Sequence, residues 1–250
     1  MNLPTTRAPV RPDYGLDAPF VVRNLALGGF AASGLGLLAY FTLRESHPDL
    51  AARLLNGGIW PGLSWLASSG VMIHGSQRGK LRVRDRLLDG LRLRGDEQVL
   101  DVGCGHGLLL IGAAKRLNTG RAVGIDIWQA KDQADNRAEA TRRNAEIEGV
   151  SQRVEICEAD ARKMPFPDAT FDVVLSSWAL HNIPTKVGRE QAVREIGRVL
   201  RPGGKVALLD IWYTRNYLKI LRNGGVQDGA RSLASLCFLW PTFLVAGCKI

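Results

Sequence analysis

From Leu81 onward, short apolar runs alternate with amphipathic segments, and this alternation restricts the chain's fold more than any other feature. EQVLDVG, RAVGIDI, VEICEAD, FDVVLSSW and GKVALLDI read as strands, while RVRDRLLDGLRLR, LLLIGAAKRL, DQADNRAEATRRNAEIEGV and REQAVREIGRVL read as helices. Such an order implies βαβ units and a parallel sheet covered on both faces. SLCFLW and TFLVAGCK are expected to close the chain as an antiparallel hairpin. In sheets of this kind ligands sit at the carboxyl ends of the strands, near the point where strand order reverses.

Residues 99–110, VLDVGCGHGLLL, fall at that place. Gly103 and Gly105 permit a tight turn and close approach to the backbone, and Gly107 opens the next helix with its amides toward a ligand. The G-x-G-x-G spacing is neither the dinucleotide fingerprint nor a phosphate loop. Asp126 ends the second strand, where a carboxylate can accept from both hydroxyls of a ribose. Asp160 ends the third strand, and Arg201-Pro202-Gly203-Gly204 turns the chain into the fifth.

The region before Leu81 is of another kind. Leu25 to Leu43 carries no charged residue over the length that crosses a hydrocarbon core as a helix, and its Gly, Ala and Ser content suits close helix packing in lipid. Leu54 to Gln77 is also uncharged but less apolar and holds Trp60-Pro61, which fits a second span, a kinked one or an interfacial helix. A hairpin packed on the rest of the chain is the competing reading. A signal peptide is disfavoured, because a long polar segment comes first. The reading is a flexible tail over 1–19, a membrane-anchoring helical segment over 20–77 with one or two spans, and a soluble strand–helix domain over 78–250.

Charge placement supports a hairpin with both ends in the cytoplasm. Arg7, Arg11 and Arg23 precede the first stretch, RGKLRVRDR follows the second, and the segment between them is balanced in charge. The formal net charge of +9 is then explained by a juxtamembrane basic run attracted to anionic lipid, which removes the main argument for nucleic acid. The four cysteines form no CxxC pair and no His/Cys cluster, so neither a disulfide scaffold nor a metal site is expected.

In order, VLDVGCGHG, GIDIW, EADARKMPFPDATFDVV and RVLRPGGKVALLD resemble the class I S-adenosylmethionine-dependent methyltransferases over about residues 81–250. MPFPDATFD is most similar to the UbiE/Coq5-type enzymes of small molecules and lipids. The resemblance implies a seven-stranded Rossmann-like sheet of order 3-2-1-4-5-7-6 with an antiparallel last strand, here preceded by the apolar helical hairpin. It also implies S-adenosylmethionine as cofactor and no metal. By motif position, Asp101, Gly103, Cys104, Gly105 and Gly107 shape the methionine end of the site, with Asp101 accepting from the ammonium. Asp126 holds the ribose, Ile127 and Trp128 pack on the adenine, and Asp160 with the Ala161 amide reads its edge. Ser176 lies where cofactor and acceptor meet, and Trp178 and Asn182 face the acceptor. His181 is the candidate general base, with a loop-lining role as the alternative. His106 is read as loop-shaping, and Asn144 as part of a solvated helix face that Asp132 caps.

The function implied is a membrane-anchored methyltransferase of a lipophilic small molecule such as a quinone precursor, isoprenoid or lipid. The alternatives are a protein or nucleic-acid methyltransferase and a non-catalytic membrane protein that binds the cofactor. SSWALHN stands where one amino-group-methylating class carries Asn-Pro-Pro-aromatic, which argues against that class.

Overall fold

The computed structural model describes residues 11–128, 137–236 and 239–250. They divide into two compact units, one built on residues 81–236 and 240–250 with residues 11–15, the other on residues 16–80.

The smaller unit is a helical hairpin of α1 (Pro19–Leu43) and α2 (Pro48–His74). Its packing is inverted relative to a water-soluble hairpin. Small residues fill the seam: a Cβ on Gly58 would fall 2.4 Å from the Ala32 carbonyl oxygen, and one on Gly62 would fall 2.1 Å from Ser33 Oγ. Large apolar side chains point outward, with Leu27, Phe30, Leu35, Leu38, Phe41, Trp60, Leu63 and Trp65 all exposed. Close backbone approach through small residues is how helices associate when lipid removes the hydrophobic drive between them. Pro61 lies inside α2 and the helix continues through it, one backbone hydrogen bond poorer. Among the described residues Pro19–Leu43 is the one helix long and apolar enough to cross a membrane. Gly62→Leu is expected to destabilise the hairpin by about 1–3 kcal/mol through overpacking. Gly57→Leu, with nothing within 4 Å of its Cβ, is expected to be neutral; thermal unfolding in detergent micelles compares the two.

In the larger unit, α3 (Lys80–Leu91) leads into a seven-stranded sheet: β1 (Gln98–Val102), β2 (Arg121–Asp126), β3 (Val154–Glu158), β4 (Phe171–Ser177), β5 (Leu200–Asp210), β6 (Val226–Ser235) and β7 (Thr242–Lys249). The order is β3-β2-β1-β4-β5-β7-β6, with β7 antiparallel to both neighbours. This is the expected sheet. Helices α4 (Leu108–Ala114), α5 (Ala138–Ile147), α6 (Lys186–Val199) and α7 (Thr214–Asn223) connect the strands. Strands β1, β4 and β5 are buried on both faces, with Leu100, Val174, Leu175, Val206 and Leu208 fully enclosed, as a parallel sheet with two covered faces requires. Strand order reverses between β1 and β4, so their carboxyl ends form the crevice.

The structure departs from the sequence reading in four places. The first strand of the terminal hairpin is VQDGARSLAS, not SLCFLW, of which Cys237 and Phe238 lie outside the described residues. This edge strand is polar on its open side and carries two register shifts, so its local pattern was weak. Residues 13–17 were read as tail, yet Tyr14 is buried and donates to Glu148 Oε1, and Asp13 pairs with Asn144. Asn144 itself is buried rather than solvated, and Asp132 lies outside the described residues. The basic run is partly spent internally: Lys80 Nζ lies 3.0 Å from Asp17 Oδ2, and Arg84 bonds Asp85, while Arg82 and Arg86 stay exposed on α3.

Candidate functional site

The glycine loop between β1 and α4 is set by backbone bonds across the crevice. The Gly103 and Cys104 amides both donate to the Ile125 carbonyl at the end of β2, at 2.8 and 3.0 Å. Gly103, Gly105 and Gly107 all have positive φ, of 72°, 48° and 85°. At Gly103 the need is also steric: a Cβ would fall 2.2 Å from that of Ala179, which follows β4. The loop after β4 therefore rests against the glycine loop.

Asp126 organises the same corner. Its Oδ2 accepts from the Gly105 amide at 2.8 Å and its Oδ1 from the Trp128 amide at 2.7 Å, each oxygen keeping a lone pair for a ribose hydroxyl. Ile127 is exposed beside it. Asp101 is 2% exposed on β1; its Oδ2 accepts from the Leu110 amide and its Oδ1 has no partner. Burial, with Asp126 adding like charge against the Leu110 bond, pushes its carboxyl up to about 7. Burial first, then the same two carboxylates, push the Cys104 thiol up, so its place in the loop reflects size rather than reactivity.

Three of the buried polar atoms without partners stand at neighbouring strand ends: Asp101 Oδ1 on β1, Trp128 Nε1 after β2 and Ser177 Oγ on β4. Native proteins rarely leave such groups unpaired; Asp101 Oδ1 is the carboxylate acceptor among them, the kind of group an aminoacyl nucleoside's ammonium would need, while Trp128 Nε1 can only donate. S-adenosylmethionine fits these residues. Cofactor affinity is then expected to weaken by about tenfold per pH unit below about 7, as Asp101 takes a proton and loses its attraction for the ammonium. Titration calorimetry with S-adenosylhomocysteine near pH 8 and pH 6 reads this, and Asp101→Asn is expected to flatten the dependence.

Other expected contacts are already engaged. Ser176 is buried and donates to the Val102 carbonyl at 2.8 Å, tying β4 to β1 and leaving only lone pairs to offer. Asp160 is gripped by Arg162, whose guanidinium and amide hold its carboxyl below the usual range. Ala161 packs at the edge of the core. His106 is buried with Nδ1 3.1 Å from the Asp13 carbonyl, and Asn144 Nδ2 donates to both the Asp13 and His106 carbonyls.

On the acceptor side, Trp178 adopts φ 49° after β4, and its Nε1 donates to Thr242 Oγ1 at 3.3 Å. Asn182 folds back toward the Trp178 carbonyl. His181 Nδ1 lies 2.6 Å from Oδ1 of Asp210, the last residue of β5, while Asp210 Oδ2 accepts from the His181 amide and the Tyr217 hydroxyl. Sequence reading placed Asp210 only as a strand end. Its acid at the tip of an otherwise apolar strand, KVALLD, was the available signal. Arg189, also missed, is buried; it donates to the Ile183 and Pro184 carbonyls and stacks 3.8 Å from the Tyr213 ring centroid, bracing the loop that carries His181. Among the described residues no group of His, Cys, Asp and Glu is placed to hold a metal ion.

Comparison with known proteins agrees with this geometry. Residues 100–208 match the family described as "Methyltransferase domain". The chain is 39% identical over 129 residues to 27-O-demethylrifamycin SV methyltransferase of Amycolatopsis mediterranei, covering 52% of this chain and 44% of that protein. It is 30% identical over 129 residues to demethylmenaquinone methyltransferase of Lactobacillus johnsonii, covering 51% and 49%. The chain thus spans less than half of the length of these relatives. A solved S-adenosylmethionine-dependent methyltransferase from Aquifex aeolicus shares the fold, with a TM-score of 0.56 at 20% identity over 70% of this chain and 94% of that one. With the sheet order, the glycine loop and Asp126 in place, residues 100–208 match a methyltransferase domain and lie in a sheet with the fold of the class I S-adenosylmethionine-dependent methyltransferases.

Proposed function

We propose that the chain is a membrane-anchored methyltransferase that transfers a methyl group to a lipophilic small molecule, with its catalytic domain on the cytoplasmic side. The observation that carries the catalytic part is the His181–Asp210 pair, held at 2.6 Å on the loop whose Ala179 touches Gly103. When bound, S-adenosylmethionine supplies an electrophilic methyl on sulfur. Asp101 would hold its ammonium and Asp126 its ribose, with Ile127 and Trp128 against the adenine and Asp160 with the Ala161 amide at its edge. His181 Nε2 would take the proton of a phenol, enol or acidic carbon on the acceptor. Asp210 Oδ1, 2.6 Å from Nδ1, would favour the tautomer protonated there and so leave Nε2 as the free acceptor. Trp178 and Asn182 would bound the acceptor side, where alignment and exclusion of water favour an in-line displacement.

The lipophilic acceptor is supported by the inverted packing of the α1–α2 hairpin and by a relative named for a menaquinone precursor. The arginines flanking the hairpin support a cytoplasmic catalytic domain. Membranes bearing the protein, incubated with methyl-labelled cofactor and fractionated, test the reading. Label is expected in the organic phase; label in protein or RNA overturns it.

A further inference from the structure

The acceptor side of the sheet carries an exposed apolar patch with two cations that no carboxylate balances among the described residues. Trp212 and Tyr213, just beyond β5, are about half exposed, as are Leu233 on β6 and Trp240 before β7. The strand register gathers them: Asp210 pairs with Phe243, and Phe243 with Leu233. Arg231 lies among them, its guanidinium 3.4 Å from the Phe243 ring centroid and its Nε donating to Thr214 Oγ1 at 2.7 Å. Arg215 is the next residue and is exposed. Among the described residues neither arginine has an ion-pair partner. Partial burial, with Arg215 adding like charge, makes the charge on Arg231 harder to hold than usual, so an anion placed there is favoured.

Leucine and tryptophan set among unpaired arginines are the composition of a surface that rests at the headgroup level of an anionic bilayer. We propose that this patch, comprising Trp212, Tyr213, Leu233 and Trp240 with Arg215 and Arg231, docks on an anionic membrane surface and opens the acceptor site to the lipid phase. The inference rests on the methyltransferase reading for its purpose. The Trp212 ring packs edge-on to His181 at 5.6 Å, so an acceptor leaving the bilayer at this patch meets the candidate base first. A soluble acceptor would need no such surface.

Hydrogen exchange of the full-length protein in phosphatidylcholine nanodiscs, with and without phosphatidylglycerol, tests it. Peptides spanning 211–216 and 231–235 are expected to exchange more slowly in the anionic discs, while a peptide over 149–153, at the opposite end of the sheet, stays unchanged. Arg215→Gln is expected to reduce that protection about fivefold, the share of one cation near such a surface. Leu233→Ser tests the apolar part in the same way and, being exposed, spares the fold. Equal exchange in both discs overturns the proposal. So does the same protection from inorganic phosphate alone, which would mark a simple anion site. Binding of S-adenosylhomocysteine, measured by calorimetry on the same preparations, separates the two readings: its loss strikes the methyltransferase assignment, whereas its retention without protection strikes only the docking.

Discussion

Gly103→Val is expected to lower cofactor affinity by at least about a hundredfold. Two effects add. The backbone at Gly103 holds φ 72°, a region that a β-branched residue enters at a cost of roughly 1–3 kcal/mol. The new Cβ would lie 2.2 Å from the Ala179 Cβ, so either the glycine loop or the loop after β4 must move. Both loops line the cofactor crevice, and moving the first breaks the paired amide bonds to Ile125. Calorimetry with S-adenosylhomocysteine reads the loss. Wild-type affinity in the variant would show that the crevice lies elsewhere. Gly34→Val, with open space around its Cβ in α1, is the matched control and is expected to bind normally.

Asp210→Asn is expected to reduce kcat by about 10²–10³ while leaving cofactor affinity near wild type. Asp210 accepts from the Ile211 amide, the His181 amide and the Tyr217 hydroxyl and stands against His181 Nδ1. An amide offers one oxygen for these donors, and its NH₂ turned to Nδ1 favours the tautomer whose proton sits on Nε2. The base is then blocked, though the fold survives. An unpaired buried donor adds a stability loss of about 1–3 kcal/mol, visible in thermal unfolding. The pH profile discriminates the roles. If Asp210 only shaped the loop, kcat would fall by the same factor at every pH. A positioning role moves the acidic limb as well, and His181→Ala should match the loss without adding to it in the double variant. Burial and the neighbouring Asp210 carboxylate push the Tyr217 phenol up, so it remains a donor to Asp210 across the working range.

Much of the fold was legible because short windows encode it. EQVLDVG and RAVGIDI are continuous apolar runs of strand length, and both became buried central strands. The three glycines between β1 and α4 announced a loop that must bend through left-handed backbone, and all three do so. Asp126 was legible as an acid at a strand tip, and there it accepts from the Gly105 and Trp128 amides. β6 was not legible, because an edge strand needs only one buried face, and VQDGARSLAS supplies a broken alternation with Gly229 at its centre. SLCFLW, the more apolar neighbour, drew the assignment instead.

Partnerships between distant residues were out of reach. Asp13 and Asn144 stand 131 positions apart, and each looks like an ordinary surface residue until the fold buries the contact. Asp160 and Ser176 matched motif positions, yet the structure gives the first to Arg162 and the second to the Val102 carbonyl. Lys80 looked like part of a lipid-facing basic run and is paired with Asp17.

By itself the sequence determined the strand–helix alternation through β5, the position of the glycine loop and the apolar character of the N-terminal hairpin. These follow from periodicity, propensity and backbone freedom, which act within a few residues. Only the tertiary structure decided that Asp210 stands behind His181, that the hairpin turns its small residues inward, and that Trp212, Leu233 and Arg231 share one surface. Those outcomes depend on strand order and on desolvation, and both arise only once segments far apart in the chain have packed.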